Sequence, residues 1–178
     1  MSKTITVHAV LDAETFRKFS IFEGLFRKGN LTAPILFASI LSISGIVCLL
    51  FGGVILGIIL LIIGLGFPGL FVRNFFHSIN TQVKYLNLEN PKPIYTLSFS
   101  ESPDGIVVTN HGQGNEPLQY EWKSLYNVYR VQGCIYLYVL PDKAYLLPDG
   151  QADDSTDALW QFICDMLPAD KLHDRRKL

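Results

Sequence analysis

Between residues 31 and 72 the chain has no Asp, Glu, Lys, Arg or His. A bilayer core is about 30 Å thick and a helix rises about 1.5 Å per residue, so one crossing takes about 20 residues. The 42-residue uncharged run is therefore long enough for two. Cysteine is scarce as well. Cys48 lies inside the apolar run, Cys134 and Cys164 lie far apart in the tail, and there is no C-x-x-C pair. Neither a disulfide nor a zinc site is expected, which agrees with a reducing compartment. His8, His77, His111 and His173 are scattered without H-x-x-x-H or His/Cys spacing, so no metal and no cofactor is expected. Cations are few in the tail, where residues 93–178 hold 7 Lys/Arg against 12 Asp/Glu, a net of −5. That balance repels phosphate backbones and excludes nucleic acid as a partner. The loop Gly112-Gln-Gly114 lacks the Lys and the following helix of a phosphate cradle.

What is present starts with the adjacent glycines Gly52 and Gly53. They divide the apolar run into residues 31–51 and 54–72, of which 12 and 14 are Leu, Ile, Val or Phe. Each such residue favours insertion by about 0.3–0.6 kcal/mol, so either piece can enter a bilayer unaided. Glycine takes positive φ without steric cost, as a tight reversal between helices requires. One long tilted helix through the glycines would mismatch the bilayer and strand the first dozen residues. The expectation is a transmembrane hairpin turning at Gly52 and Gly53. Arg17, Lys18, Arg27 and Lys28 precede it, and Arg73, Lys84 and Lys92 follow. Cytoplasmic flanks collect Lys and Arg, so the protein is expected in the inner membrane, multi-pass, with both termini cytoplasmic. A cleavable signal peptide is not expected, because the apolar run begins only at residue 31. The run holds no ionisable group, which argues against a transport path. Its small residues, Ala38, Ser42 and Gly45 on one piece and Gly53, Gly57 and Gly64 on the other, share a helical face. They read either as a close helix–helix contact or as the ordinary glycine content of membrane helices.

The leader, residues 1–30, alternates like a strand over residues 4–10, and Asp12 then caps a helix. In that helix Phe16, Phe19, Phe22 and Phe26 recur every three or four residues, with cations off that line. The phenylalanines suit a helix in the membrane interface or one packed on a cytosolic domain. Residues 73–92 continue a helical period, and Asn90-Pro-Lys-Pro93 reads as a stiff linker.

From residue 93 the texture is that of strands. Tyr95, Leu97 and Phe99 alternate with Thr96, Ser98 and Ser100. Ser102-Pro-Asp-Gly105 is a turn by its chemistry. Further strands are expected over 105–110, 118–122, 125–131, 134–140 and 143–147. Asp153, Asp154 and Asp157 crowd a helix start, and Leu159, Phe162, Ile163, Met166 and Leu167 form an apolar stripe that must dock on a sheet. A basic tail, 169–178, ends the chain. Nothing near residues 4–10 can pair with them, so the expected partner of that strand is an edge of the C-terminal sheet. The fold class is thus α+β: a two-helix membrane hairpin plus an antiparallel β-sheet of pleckstrin-homology-like pattern, residues 93–168, closed by a C-terminal helix.

Tyr95-Thr-Leu-Ser-Phe-Ser, Gly105-Ile-Val-Val, Trp122-Lys-Ser-Leu-Tyr-Asn-Val-Tyr, Ile135-Tyr-Leu-Tyr-Val and Lys143-Ala-Tyr-Leu-Leu-Pro carry a resemblance. Together they resemble the C-terminal domain of the YcxB-like family of small bacterial membrane proteins, over residues 93–167. The Ser102-Pro103 region and the loop at 111–115 depart from it. The resemblance implies a membrane-anchored domain and no catalytic residues.

Chemistry read directly from the residues agrees with that silence. Asp104, Asp142 and Asp149 each follow a proline in a turn signal, which accounts for them without catalysis. Tyr120, Tyr126, Tyr129, Tyr136, Tyr138 and Tyr145 fall within 26 residues, beside Trp122. Tyrosine suits surfaces that are half dry and half wet, so Tyr126, Tyr129, Tyr136 and Tyr138 form a candidate interaction surface; the alternative is that these rings fill the sheet core. Two functional classes follow. One is a non-enzymatic adaptor or sensor binding a membrane or cytosolic protein, or a lipid headgroup, at the inner leaflet. The other is a small enzyme or accessory subunit of a membrane complex. The bilayer is the expected partner of the hairpin, and a homo-oligomer is open to either class.

Overall fold

In the computed structural model, residues 3–29, 32–111 and 116–176 are described. The chain is α+β and divides into two compact units. One joins the N-terminal strand to residues 88 onward; the other is Phe16–Asn87. The leader is therefore split, its strand belonging with the tail. The loop 112–115 and residue 31 lie outside the described residues.

In the first unit, β1 (Thr4–Leu11) runs antiparallel to β2 (Lys92–Ser100), from Thr4↔Ser100 to Leu11↔Lys92. The expected long-range partner of the leader strand is thus found, some 90 residues away. Ile5, Val7, Ala9 and Leu11 face the core, as do Tyr95, Leu97 and Phe99 opposite them. The linker expectation at Asn90–Pro93 needs correcting, because β2 already begins at Lys92. Pairing jumps from Ala9↔Tyr95 to Val10↔Pro93, leaving Ile94 as an extra residue. A proline, which has no N–H for the ladder, is tolerated beside such a bulge. Since Leu11 pairs with Lys92, the 80 residues between them are an insertion between two adjacent strands.

β3 (Ile106–Asn110) and β4 (Leu118–Tyr120) complete a sheet of order β1-β2-β3-β4. A short 3-10 turn at Trp122–Ser124 follows where the strand expected over 118–122 would have continued. The second sheet has order β7-β6-β5-β8, built from β5 (Asn127–Val131), β6 (Cys134–Leu140), β7 (Lys143–Pro148) and β8 (Leu172–Asp174). The expectation of one antiparallel sheet is corrected here in two respects. The described residues form two four-stranded sheets, and β8 joins β5 in parallel. β8 falls where a basic tail was read; Lys171 donates to the carbonyls of Lys123 (2.8 Å) and Leu125 (2.7 Å) and seats it.

α1 here is Ala13–Ile21 and α4 is Thr156–Met166, the C-terminal amphipathic helix. Ser155 caps α4 by accepting from the Ala158 amide (3.1 Å), and the helix buries Leu159, Trp160, Phe162 and Ile163. Phe162 meets Trp122 edge-on at 5.9 Å, and Trp122 lies 5.9 Å from Phe99. These rings connect α4 to the first sheet. Trp122 Nε1 donates to the Ser100 carbonyl (3.0 Å), and a Cβ at Gly105 would collide with that carbonyl, so residue 105 must be glycine. The Tyr95 hydroxyl accepts from the Leu146 amide (2.6 Å) and donates to the Leu146 carbonyl (3.0 Å), tying β2 to β7.

In the second unit, α2 (Thr32–Leu50) and α3 (Val54–Tyr85) are two long apolar helices joined at the glycine pair. Gly52 has φ of 84°, its amide donates to Leu49, and the Gly53 amide donates to Cys48 at 2.8 Å. These two bonds are the Schellman arrangement that ends a helix at a glycine. The chain therefore turns back at Gly52–Gly53. The small residues meet at the contact: a Cβ at Gly57 would lie 2.6 Å from Leu49 and 2.9 Å from the Gly45 carbonyl, and one at Gly64 2.7 Å from Ser42. The close-contact reading of those residues is the one the geometry supports.

The leader helix docks within this unit. Asp12 caps α1 by accepting from the Thr15 amide (2.8 Å). The helix then widens into a π-helical stretch at Phe22–Arg27, where the Lys28 amide reaches back five residues to Glu23 (3.0 Å). Gly24 in that stretch is buried, and a Cβ there would lie 2.7 Å from the Phe75 ring. Arg17 Nε donates to Asn80 Oδ1 (3.1 Å). The leader thus packs against the extension of α3, a partner that neither reading of its phenylalanines named.

Candidate functional site

The tyrosine-rich strands are the place where a binding surface was expected, and the structure divides the rings among three environments. Tyr136 and Tyr138 are 2% and 1% exposed, so they are core residues and offer no surface. The cause is the position of β6, a central strand buried on both faces from Cys134 to Val139. Tyr145 is likewise buried, while Tyr120 is half-buried. Tyr126 is exposed, and Tyr129 is half-buried, stacked on His173 at 4.6 Å and edge-on to Tyr138 at 5.5 Å. What survives of the candidate surface is Tyr126 and Tyr129 at β5, beside the short strand β8. Gly52 and Gly53 sit at the turn between α2 and α3, as expected of a helical hairpin.

Sequence reading missed the side chain with the most unusual environment. Arg130 on β5 is 4% exposed and is the buried charged residue of the described core. Its Nη1 donates to Asp149 Oδ1 at 2.6 Å, and Nη2 lies 3.5 Å from Asp157. Arg176 continues the array through Asp157 (3.7 Å) and Asp174 (2.6 Å). A buried guanidinium needs such partners, because desolvation would otherwise exceed what folding can offset. Asp149 is thus more than a turn residue after Pro148, since it neutralises Arg130. The only sequence signal was a lone Arg in an apolar strand facing an Asp-rich helix start. Among the described residues the Arg130 Nε has no hydrogen-bond partner.

The acid–base properties are those of a packed core and an ordinary surface. Burial pushes the Cys134 thiol up to about 12, which leaves it un-ionised and unreactive near neutrality. Burial also raises the Tyr95, Tyr136 and Tyr145 phenols, and partial burial raises the Cys164 thiol. Asp154 and Asp174 are shifted down, the first chiefly by the Ser155 amide and the second by Arg176, and both are solvent-exposed. A general acid or base would need the opposite, a carboxyl raised within a cleft. A groove of about 420 Å³ between α2 and α3 is lined by Ala38, Ser39, Ser42, Gly64 and Pro68, among others, without a titratable side chain. Among the described residues no three His, Cys, Asp or Glu converge as metal ligands. Compared with protein-family models, curated proteins and solved structures, the chain matches none.

Proposed function

We propose that this chain is a small bacterial inner-membrane protein of the YcxB-like kind, acting as a non-enzymatic adaptor or sensor. Residues 31–51 and 54–72 cross the bilayer as a hairpin with both termini in the cytoplasm. The pleckstrin-homology-like domain binds a protein partner or a lipid headgroup at the inner leaflet. The observation that carries the reading is the outward face of the hairpin. Ile40, Ile62 and Leu65 are 62%, 67% and 72% exposed, and only 11% of the most apolar stretch of either helix is buried. A helix made apolar to fill a soluble core would bury most of that surface. Two sheets with a capping C-terminal helix support the domain assignment. Residues 1–15 and 88–178 together carry 9 Lys/Arg against 15 Asp/Glu, net −6, which repels an anionic leaflet and favours a protein as the domain's ligand. The enzyme reading has no comparable support, because no displaced carboxyl or histidine lines a described cavity.

Topology can be tested with single cysteines at Ser2, Phe51 and Glu116 in a chain from which Cys48, Cys134 and Cys164 have been removed. An impermeant maleimide added to intact cells should label Phe51→Cys alone. Labelling of both Ser2→Cys and Glu116→Cys, with Phe51→Cys silent, would reverse the orientation. Labelling at one terminus only would rule out a hairpin. The adaptor reading is tested by a photo-crosslinking residue at Tyr126 in native membranes, which should give a discrete protein adduct that a buried control at Tyr138 does not.

A further inference from the structure

We propose that the cytoplasmic base of the hairpin is a binding surface for anionic phospholipid headgroups, formed by Arg17 together with a stripe on α3. The proposal rests on the membrane reading above and adds a ligand class and a site to it. The stripe is Arg73, His77, Asn80 and Lys84, spaced by four, three and four residues and therefore on one helical face. All four are exposed, whereas Ile79 and Val83 on another face of the same segment are buried. Arg73 follows the last residue of the uncharged run, and Lys84 lies about 16 Å farther along the helix axis.

The charges on this surface are uncompensated. Residues 16–87 hold 6 Lys/Arg and a single carboxylate, Glu23, a net of +5. Glu23 is taken by Arg27 and, at 3.0 Å, by Lys28. Among the described residues no carboxylate pairs with Arg17, Arg73 or Lys84. Arg17 is instead held through Nε by the neutral amide of Asn80, at 3.1 Å. That bond orients the guanidinium without neutralising it and leaves the terminal nitrogens for a phosphate, which a planar fork suits. Gly24 favours the arrangement, since a Cβ there would lie 2.7 Å from the Phe75 ring on which the leader rests. Phe26 and Phe76, 60% and 44% exposed, supply rings of the kind that settle at headgroup depth. An acidic leaflet complements this surface, whereas the net −6 of the other unit opposes long polyanions such as RNA.

Because the leaflet's field decays within about a Debye length, the four positions are graded. Neutralising Arg73, nearest the apolar run, should matter most and Lys84 least, an order that a merely structural role does not impose. The test uses the full chain in nanodiscs of phosphatidylcholine with a minority of phosphatidylglycerol, followed by mild delipidation and mass spectrometry of the retained lipid. Wild type should retain phosphatidylglycerol preferentially. Arg73→Gln should lower that preference about fivefold, Arg17→Gln by less and Lys84→Gln least, while Lys143→Gln in the other unit leaves it unchanged. No preference in wild type, or an equal loss with Lys143→Gln, overturns the proposal. So does displacement of the retained lipid by a short RNA, which would make the surface a general polyanion site. A chain that remains soluble without detergent and holds no lipid defeats the membrane reading itself, and that outcome is seen before any variants are compared.

Discussion

The two units use the same aliphatic residues in opposite positions. In the unit of β1 and residues 88 onward, Phe99, Trp122, Leu147, Phe162 and Ile163 occupy the middle and polar residues face out. In the helical unit the middle holds Gly45, Gly57 and Gly64 with Leu49 and Leu61 lying over them, while Ile40, Ile62, Leu65 and other bulky apolar side chains point away from the contact. Charge divides the same way, net −6 against net +5. Water accounts for the first pattern, because removing apolar area from it drives packing around bulky side chains. The second pattern suits a solvent as apolar as leucine, where helices gain by close approach of their backbones. On the membrane reading, each interior is defined by what surrounds it.

If the contrast is real, opposite changes in volume should damage the two units. Phe162→Ala removes a ring that is 7% exposed and touches Trp122. It should cost about 3–5 kcal/mol, as for other buried aromatics. Denaturant unfolding of the full chain in mild detergent, followed by tryptophan fluorescence, reports on it through Trp122 and Trp160. In the helical unit the damaging change is an addition. Gly57→Ile would put its side chain where Leu49 and the Gly45 carbonyl already lie, at an overpacking cost of about 1–3 kcal/mol. Loss of α2–α3 proximity, read by paired spin labels near Ile43 and Leu65, should accompany it. An α2–α3 distance and a stability that are unchanged in Gly57→Ile would mean the helices do not need to be close. An unchanged midpoint for Phe162→Ala would remove α4 from the core.

Much of this division could be read from the residues, and the reasons are local. The uncharged run and its glycine pair locate the hairpin because length and positive φ are properties of a few adjacent residues. β1 was legible through its alternation, and its partner followed by elimination. The stripe of α4 and the cap at Asp12 carry the same local character. What escaped depends on distant pairing. β8 is three residues long, has no periodicity of its own, and becomes a strand only because β5 offers a free edge. Tyr136 and Tyr138 could not be assigned to core or surface until β6 was found flanked by β5 and β7. Arg130 looked like an ordinary strand cation until Asp149 and Asp157 were brought to it from a turn and a helix start.

The smallest effect concerns a difference in backbone satisfaction. The helices of the second unit satisfy their own backbone groups, whereas the sheet of the first has an edge at β1 that must be covered. Residues 151–153 cover it: the His8 amide donates to the Gln151 carbonyl (3.0 Å) and the Asp153 amide to the Thr6 carbonyl (2.9 Å). The Gln151 side chain extends this cover to the bulge. Its Oε1 accepts from the Val10 amide (2.7 Å) and its Nε2 donates to the Val10 carbonyl (3.0 Å), as a neighbouring strand would. Gln151→Ala gives up both bonds, but the partly buried groups regain water, so the loss should be about 1 kcal/mol. Hydrogen exchange should then accelerate at Val10 while Leu97, paired on both sides within the sheet, keeps its protection. Gln151→Glu makes a sharper distinction. A carboxylate can still accept from the Val10 amide but has no proton for the Val10 carbonyl, and two acceptors then face each other. At neutral pH this variant should exchange faster at Val10 than Gln151→Ala does. Its protection should recover as the pH falls far enough to protonate the carboxyl and restore a donor. If Val10 is equally protected in wild type and Gln151→Ala, the backbone bridge alone guards the edge and the side chain contributes nothing to it.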